Sequence, residues 1–318
     1  MKHLYIIGNG FDIHHEINSS YSDFRKWICE QYPLVLEKVE EIYGYCDNDW
    51  WSDFENNLAS LNAVDYSREI AFENQPDLMS EHCDRTWTDA EIEVENQLKD
   101  IYYEIRKRFH EWIEQLNKPN DDKIIEIKQT DSIFFTFNYT KTLESLYNIC
   151  SSNIVHIHGC INDNEEFILG HGKSYEYISS RNPEPERPNP SAGLTDEDLE
   201  QYYEEQAELA EQLHEQLARE AAISGVASQQ KPVKSLIESN KMFFERIKGV
   251  QNVHIYGFSF SEIDMPYIEA IIDVVGTKNT NWEISDFEKE NRLKIDEFIS
   301  NQNIKRYSII ELSTLTLK

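Results

Sequence analysis

The sequence predicts an α/β protein built on a doubly wound, mainly parallel sheet with helical insertions. Two observations carry that prediction. Five short apolar, β-branched or aromatic runs, Leu4–Ile7, Ile133–Phe137, Ile154–Ile157, Val253–Tyr256 and Tyr307–Leu312, are continuous and not alternating, which suits strands covered on both faces. Helical patterns such as Met265–Val275 and Glu288–Ile299 lie between runs of this kind, and strands alternating with helices favour a parallel sheet. Two weaker runs, Phe167–Leu169 and Trp282–Ile284, are further strand candidates.

The first run ends in "GNGFD". Gly8 and Gly10 permit a tight turn and a close approach of ligand to backbone, and a helix starting there would offer N–H groups to an anion. Ile13 stands where a dinucleotide fingerprint has its third glycine. The stretch therefore reads either as a nucleotide loop or as a sharp turn. Residues 29–129 break the strand–helix alternation and read as a helical insertion or cap. Within them Leu98, Ile101, Tyr102, Ile105, Phe109, Trp112 and Leu116 share one helical stripe. The run Ile133–Phe137 delivers Asn138 to a sheet edge, with a helix expected near Thr140. Ile154–Ile157 leads to His158 and Gly159; alternation there puts His156 and His158 on one side, where a buried core histidine is the plainer reading. Residues 179–231 hold a proline-rich loop and an acidic helix whose Leu199, Tyr203, Gln206, Ala210, Leu213 and Leu217 recur in steps of four and three. That spacing fits a helix packed on its own domain or a self-association seam. Val253–Tyr256 runs into Gly257, Ser259 and Asp264, where helix capping is the plainer explanation. The expected core is 1–28 plus 130–178 plus 232–318. Its polar and glycine-rich clusters all fall just past strand ends, the edge where open α/β sheets bind ligands.

Composition narrows the function. With 30 Lys plus Arg against 59 Asp plus Glu, the net charge is −29. That opposes direct nucleic-acid binding, which depends on phosphate neutralisation, and equally opposes anionic membranes; a local basic cleft remains compatible with it. Five cysteines form no CxxC pair, so reduced cytoplasmic thiols are expected and no metal centre. The N-terminal apolar run is too short for a signal peptide, and no stretch approaches the ~20 residues of a membrane span.

The segments "IIGNGFDI…SSYSDF", "WSDFE", "FFTFNYTKTLE", "VHIHG", "LGHG" and "IYGFSFSEID" together resemble the bacteriophage abortive-infection AbiH family over Leu4 to about Ile268. That family in turn resembles the sirtuin-like, Rossmann-type NAD-binding fold, whose antiphage members include NAD glycohydrolases. The sirtuin-like pattern of glycine loop, Asp-Phe-Arg, strand-end Asn and His-Gly falls on Gly8–Gly10, Asp23-Phe24-Arg25, Asn138 and His158-Gly159. Phe137 and Thr140 depart from it where a sirtuin has Gln and Asp, and the four-cysteine zinc module is absent. The resemblance implies an antiphage effector that cleaves the nicotinamide–ribose bond of NAD or a related nucleotide. Asn138 would hold the water or ribose and His158 would act as base. Gly8, Asn9, Gly10, Phe11, Asp12, Asp23, Gly257, Ser259 and Asp264 would line the nucleotide, and no metal is implied.

Glu55, among Trp50, Trp51 and Phe54, is either a partly desolvated catalytic carboxylate or a solvated helix residue. His171 is a further candidate, though capping or packing explains it as well. The adjacent His14 and His15 read as surface residues. A nucleotide sensor without turnover and a phosphoryl- or nucleotidyl-transfer enzyme are the rivals; lack of GxxxxGK[ST] weakens the second. Expected partners are the nucleotide, a second copy of the chain, or a phage or host protein acting as trigger.

Overall fold

The computed structural model describes residues 1–75, 87–161, 167–183, 198–286 and 289–317, with the backbone alone for 198–212 and 289–290. Six strands, β1 (His3–Ile7), β2 (Ser132–Thr136), β3 (Ile154–His156), β4 (Asn252–Tyr256), β5 (Asn281–Ser285) and β6 (Tyr307–Ile310), form one parallel sheet in the order β3-β2-β1-β4-β5-β6. All five strong runs are strands, and so is the weaker Trp282–Ile284. Phe167–Leu169 is not. Its burial comes from rings, with Phe167 packed on Tyr139 at 4.9 Å and His110 at 4.8 Å, and no strand pairing is needed to cover it.

The continuous character of the runs has a direct cause. Leu4 and Ile6 join Ile133, Phe135, Val253 and Ile255 on one face, under the helices Lys241–Arg246, Met265–Val275 and Lys289–Asn301. Tyr5 and Ile7 join Phe134 and Tyr256 on the other, under Phe11, Leu143, Tyr147 and Leu312. Along β1 and β2 both faces are covered, so the alternating positions there are apolar on either side. Register does the rest. Ile7 lies opposite both Thr136 and Tyr256, so β1, β2 and β4 end level and deliver Gly8, Asn138 and Gly257 to one edge. The chain moves from β1 outward through β2 to β3, then returns to the other side of β1 for β4. Open α/β sheets bind ligands at such a reversal, which here falls at the carboxyl ends of β1 and β4.

Two compact units partition the chain: Met1–Trp27, Lys107–Leu169 and Lys231–Lys318 in the first, Ile28–Arg106 and Gly170–Gln230 in the second. The sequence division differs at 107–129 and 170–178. Residues 107–116 go with the sheet because Phe109 and Trp112 pack their rings on Phe24 at 5.2 and 5.1 Å. In the second unit, the stripe Leu98, Ile101, Tyr102 and Ile105 is buried as expected. The helix Asp198–Ala227 buries Ala218, Ala222, Ile223 and Val226, and Gly225 comes so close to Leu98 that a Cβ there would lie 2.7 Å from Leu98 Cδ1. Of the four-three seam, Leu199 to Ala210 have side chains outside the described residues; Leu213 is 50% exposed and Leu217 half-buried. Over 213–227 the face that packs is thus offset from Leu213; the seam before it lies outside the described side chains. Among the described residues, no helix is long and apolar enough to cross a membrane.

Candidate functional site

At the level edge of β1 and β4, two backbones touch. The Gly10 N–H donates to the Gly257 carbonyl at 2.8 Å and the Gly8 N–H to the Tyr256 carbonyl at 3.0 Å. A Cβ on Gly8 would lie 2.6 Å from the Gly257 oxygen, and one on Gly10 would lie 2.8 Å from Gly257 Cα. Gly257 has φ +63°, and its Cβ would fall 2.0 Å from the Phe11 nitrogen. Glycine is required here for chain-to-chain approach. The phosphate cradle expected of Gly8 and Gly10 has these two N–H groups already engaged. Asn9 turns away to Ser19, donating to its carbonyl at 2.9 Å and accepting from its hydroxyl at 2.7 Å. Phe11, expected beside the nucleotide, is a core residue at 0% exposure.

Asp12 is the surprise of this loop. It is 1% exposed, and its carboxylate accepts from Thr140 Oγ1 at 2.6 Å and Thr142 Oγ1 at 2.7 Å. Burial pushes its carboxyl up to about 6, offset in part by hydrogen bonds from the two threonines and the Asn138 amide. The backbone N–H of Asn138 donates to Thr136 Oγ1 at 3.0 Å, and its carbonyl faces His156 Nδ1 at 3.0 Å. His156 Nε2 in turn lies 3.0 Å from Glu144 Oε1. The Asn138 Oδ1 is buried with no hydrogen-bond partner. Buried polar atoms are seldom left so.

His158 is the centre of a second polar group. The ring is 2% exposed and is boxed by Phe137, Tyr139 and Tyr267, with centroids at 5.5, 6.3 and 5.7 Å. Its Nε2 is buried without a hydrogen bond and lies 3.8 Å from Asp264 Oδ1. Lys231 Nζ, on a side chain at 0% exposure, lies 3.9 Å from the same oxygen. Burial lowers the His158 pKa well below the usual imidazole value, and the Lys231 charge lowers it further, so the ring is neutral. Asp264 precedes the helix Met265–Val275 without a side-chain capping bond, so the capping explanation does not account for it. Phe137 and Tyr139 flank Asn138 in the chain and pack on His158. The two expected catalytic residues therefore anchor two polar groups joined through the 137–139 backbone.

Other candidates sit elsewhere. Asp23 forms a reciprocal cap with Ser20 at the start of the helix Tyr21–Gln31, and Lys26 adds an ion pair at 3.0 Å; this is a helix start. Ser259 is exposed between buried Phe258 and Phe260. Phe260 takes φ +56°, a costly conformation for a bulky residue, held by rings of Phe258 and Phe298 at 5.0 Å. Glu55 and His171 belong to the second unit. The Glu55 carboxylate accepts from the Gly170 N–H at 3.5 Å. His171 is 0% exposed, donates from Nε2 to the Val226 carbonyl at 2.9 Å and accepts at Nδ1 from the Lys173 N–H at 3.1 Å, which is a packing role. His14 and His15 are not surface residues. His15 is fully buried, bonded to the Phe11 carbonyl and the Tyr147 hydroxyl at 2.7 Å each, and burial pushes it down to about 4. His14 is half-buried against the Lys123 carbonyl. Lys231 and the threonine pair were missed because nothing in a lone Lys or Thr marks it before the fold buries it.

A family model described as "Bacteriophage abortive infection AbiH" matches residues 4–286. No curated protein and no solved structure gives a significant match.

Proposed function

The chain belongs to the bacteriophage abortive infection AbiH family, which suggests a role in abortive infection, and from that premise we propose that it is a cytoplasmic effector hydrolysing the nicotinamide–ribose bond of NAD or a related nucleotide. One observation carries the reading. Two buried side-chain atoms without hydrogen-bond partners, Asn138 Oδ1 and His158 Nε2, follow adjacent parallel strands at their carboxyl ends. The order β3-β2-β1-β4-β5-β6 adds support, since dinucleotide-binding sheets use it.

In the proposed reaction the ribose C1′–N bond breaks and its electron pair moves onto the nicotinamide ring, which leaves neutral. A water oxygen attacks C1′, and the water proton passes to the neutral His158 ring. Asp264, 3.8 Å from Nε2, faces the imidazolium so formed. Asn138 fixes the water or the ribose hydroxyls, so that reaction geometry is set before the bond breaks. Asn138→Ala and His158→Ala are each expected to lower NAD turnover about 10²–10⁴-fold in proteins that melt as the parent does. Folded variants with full turnover remove these residues from the mechanism. The near-complete burial of His158 favours one rival, a sensor that binds nucleotide without cleaving it. Calorimetric binding of NAD with no nicotinamide released would select the sensor.

A further inference from the structure

We propose that His156, backed by Glu144, is the positioning residue that fixes Asn138 in the candidate site, and that it does so only while one proton is shared between its ring and the Glu144 carboxylate. The effect on turnover rests on the nucleotide reading above; the clamp on Asn138 does not.

Asn138 leaves the sheet with both of its main-chain polar groups held by side chains. Its N–H donates to Thr136 Oγ1 at 3.0 Å, and its carbonyl lies 3.0 Å from His156 Nδ1. Main-chain groups pair mostly with other main-chain groups, so a residue held this way takes its orientation from the side chains that hold it. Thr136 sits two residues back in the same strand, whereas His156 reaches across from β3.

A carbonyl oxygen only accepts, so His156 Nδ1 carries a proton. Its Nε2 faces Glu144 Oε1 at 3.0 Å, and an ionised carboxylate also only accepts. Both contacts are made together only when a second proton lies between Nε2 and Oε1. The two side chains are 11% and 15% exposed, and Glu144 Oε2 is buried with no hydrogen-bond partner. A carboxylate so placed is costly to leave without a counter-charge. The ionisable groups that face the ring are Glu144, on the helix Thr142–Ser145, and Asp12, on the helix Asn9–His14, whose carboxyl feels the His156 charge. Loss of the shared proton sets a lone pair against either the carboxylate or the carbonyl, and the ring gives up one of them. The clamp is therefore released on the alkaline side. Asp12, at about 6, and His158, well below the usual imidazole value, act on the acid side.

Asn138-Tyr139 is the only Asn-Tyr pair in the sequence. The full chain labelled with ¹³C in asparagine carbonyls and ¹⁵N in tyrosine therefore gives one carbonyl–amide NMR signal that reports this carbonyl. The signal is expected to shift in His156→Leu and, in the wild type, to move as pH is raised from about 6 to 9. In Glu144→Gln an amide N–H takes the place of the shared proton, so an uncharged His156 keeps both contacts. Its signal is expected to stay in place over the same range. With NAD as the probe, His156→Leu is expected to lower turnover about 100-fold. Wild-type turnover is expected to fall on the alkaline side, and that fall to be absent from Glu144→Gln. An unmoved signal or full turnover in His156→Leu, or an alkaline fall that Glu144→Gln retains, overturns the inference. A wild type that leaves NAD intact while the signal behaves as expected keeps the clamp and overturns the hydrolase reading instead. Should His156→Leu not fold, wild type and Glu144→Gln decide, since a wild-type signal that ignores pH overturns the inference.

Discussion

The Asp12 carboxylate makes stability depend on pH in a direction opposite to most acidic groups. Its pKa is raised from 3.8 to about 6, so the folded protein binds the proton more tightly than the unfolded chain. The stabilisation from protonated Asp12 is complete below about 3.8 and is lost as pH rises through 6, about 3 kcal/mol in all. His158 and His15 act the other way. Their pKa values are lowered, so their contribution is present above about 6.5 and declines as pH falls. Comparing wild type with Asp12→Asn cancels the histidines. Denaturant unfolding should show the variant gaining on wild type between pH 4 and 7, by up to about 3 kcal/mol. A difference that stays constant over that range contradicts the burial cost.

Among the elements, the β1 and β4 loops meet so closely that their glycines are structural. Gly10→Val is expected to lower stability by about 1–3 kcal/mol or more, because the new Cβ meets the Gly257 backbone at 2.8 Å. Asn9→Ala loses only an exposed pair with Ser19 and should change stability by about 1 kcal/mol or less. Thermal melting of both variants without ligand decides this; equal melting points would return the glycines to a ligand role. The helix Asp198–Ala227 offers a similar contrast. Leu213→Glu, at a half-exposed site, should cost within about 0.5 kcal/mol, while Ala222→Glu places a charge in the buried face and should cost at least about 2 kcal/mol. The reverse ranking would mean the heptad-like seam is the packed face. These elements show where sequence pattern suffices. Leu4–Ile7 and Val253–Tyr256 declared themselves because both faces of the sheet are covered. The helix did not, since over its described part small alanines carry the packing, and a stripe of larger residues is the more visible pattern.

At the scale of the whole molecule, placing clusters past strand ends was legible because parallel strands in register must finish on one edge. What each residue does there was not. Asn138 is visible in the sequence from its position after a buried run, but Asp12 lies 128 residues before the Thr140 that bonds it, and only the β1–β2 register brings them together. Lys231 follows "SQQ" with no motif around it and becomes notable only through its complete burial beside Asp264. His15 looked like a surface residue because adjacency to His14 hides that one ring faces Tyr147. The central claim is that the two polar groups at this edge cleave a nucleotide. Incubation of the purified chain with NAD, followed by chromatographic separation of products, tests it most directly. The account predicts equal amounts of nicotinamide and ADP-ribose from wild type, formed about 10²–10⁴-fold more slowly by Asn138→Ala. Intact NAD with wild type, or undiminished products from a folded Asn138→Ala, would contradict it.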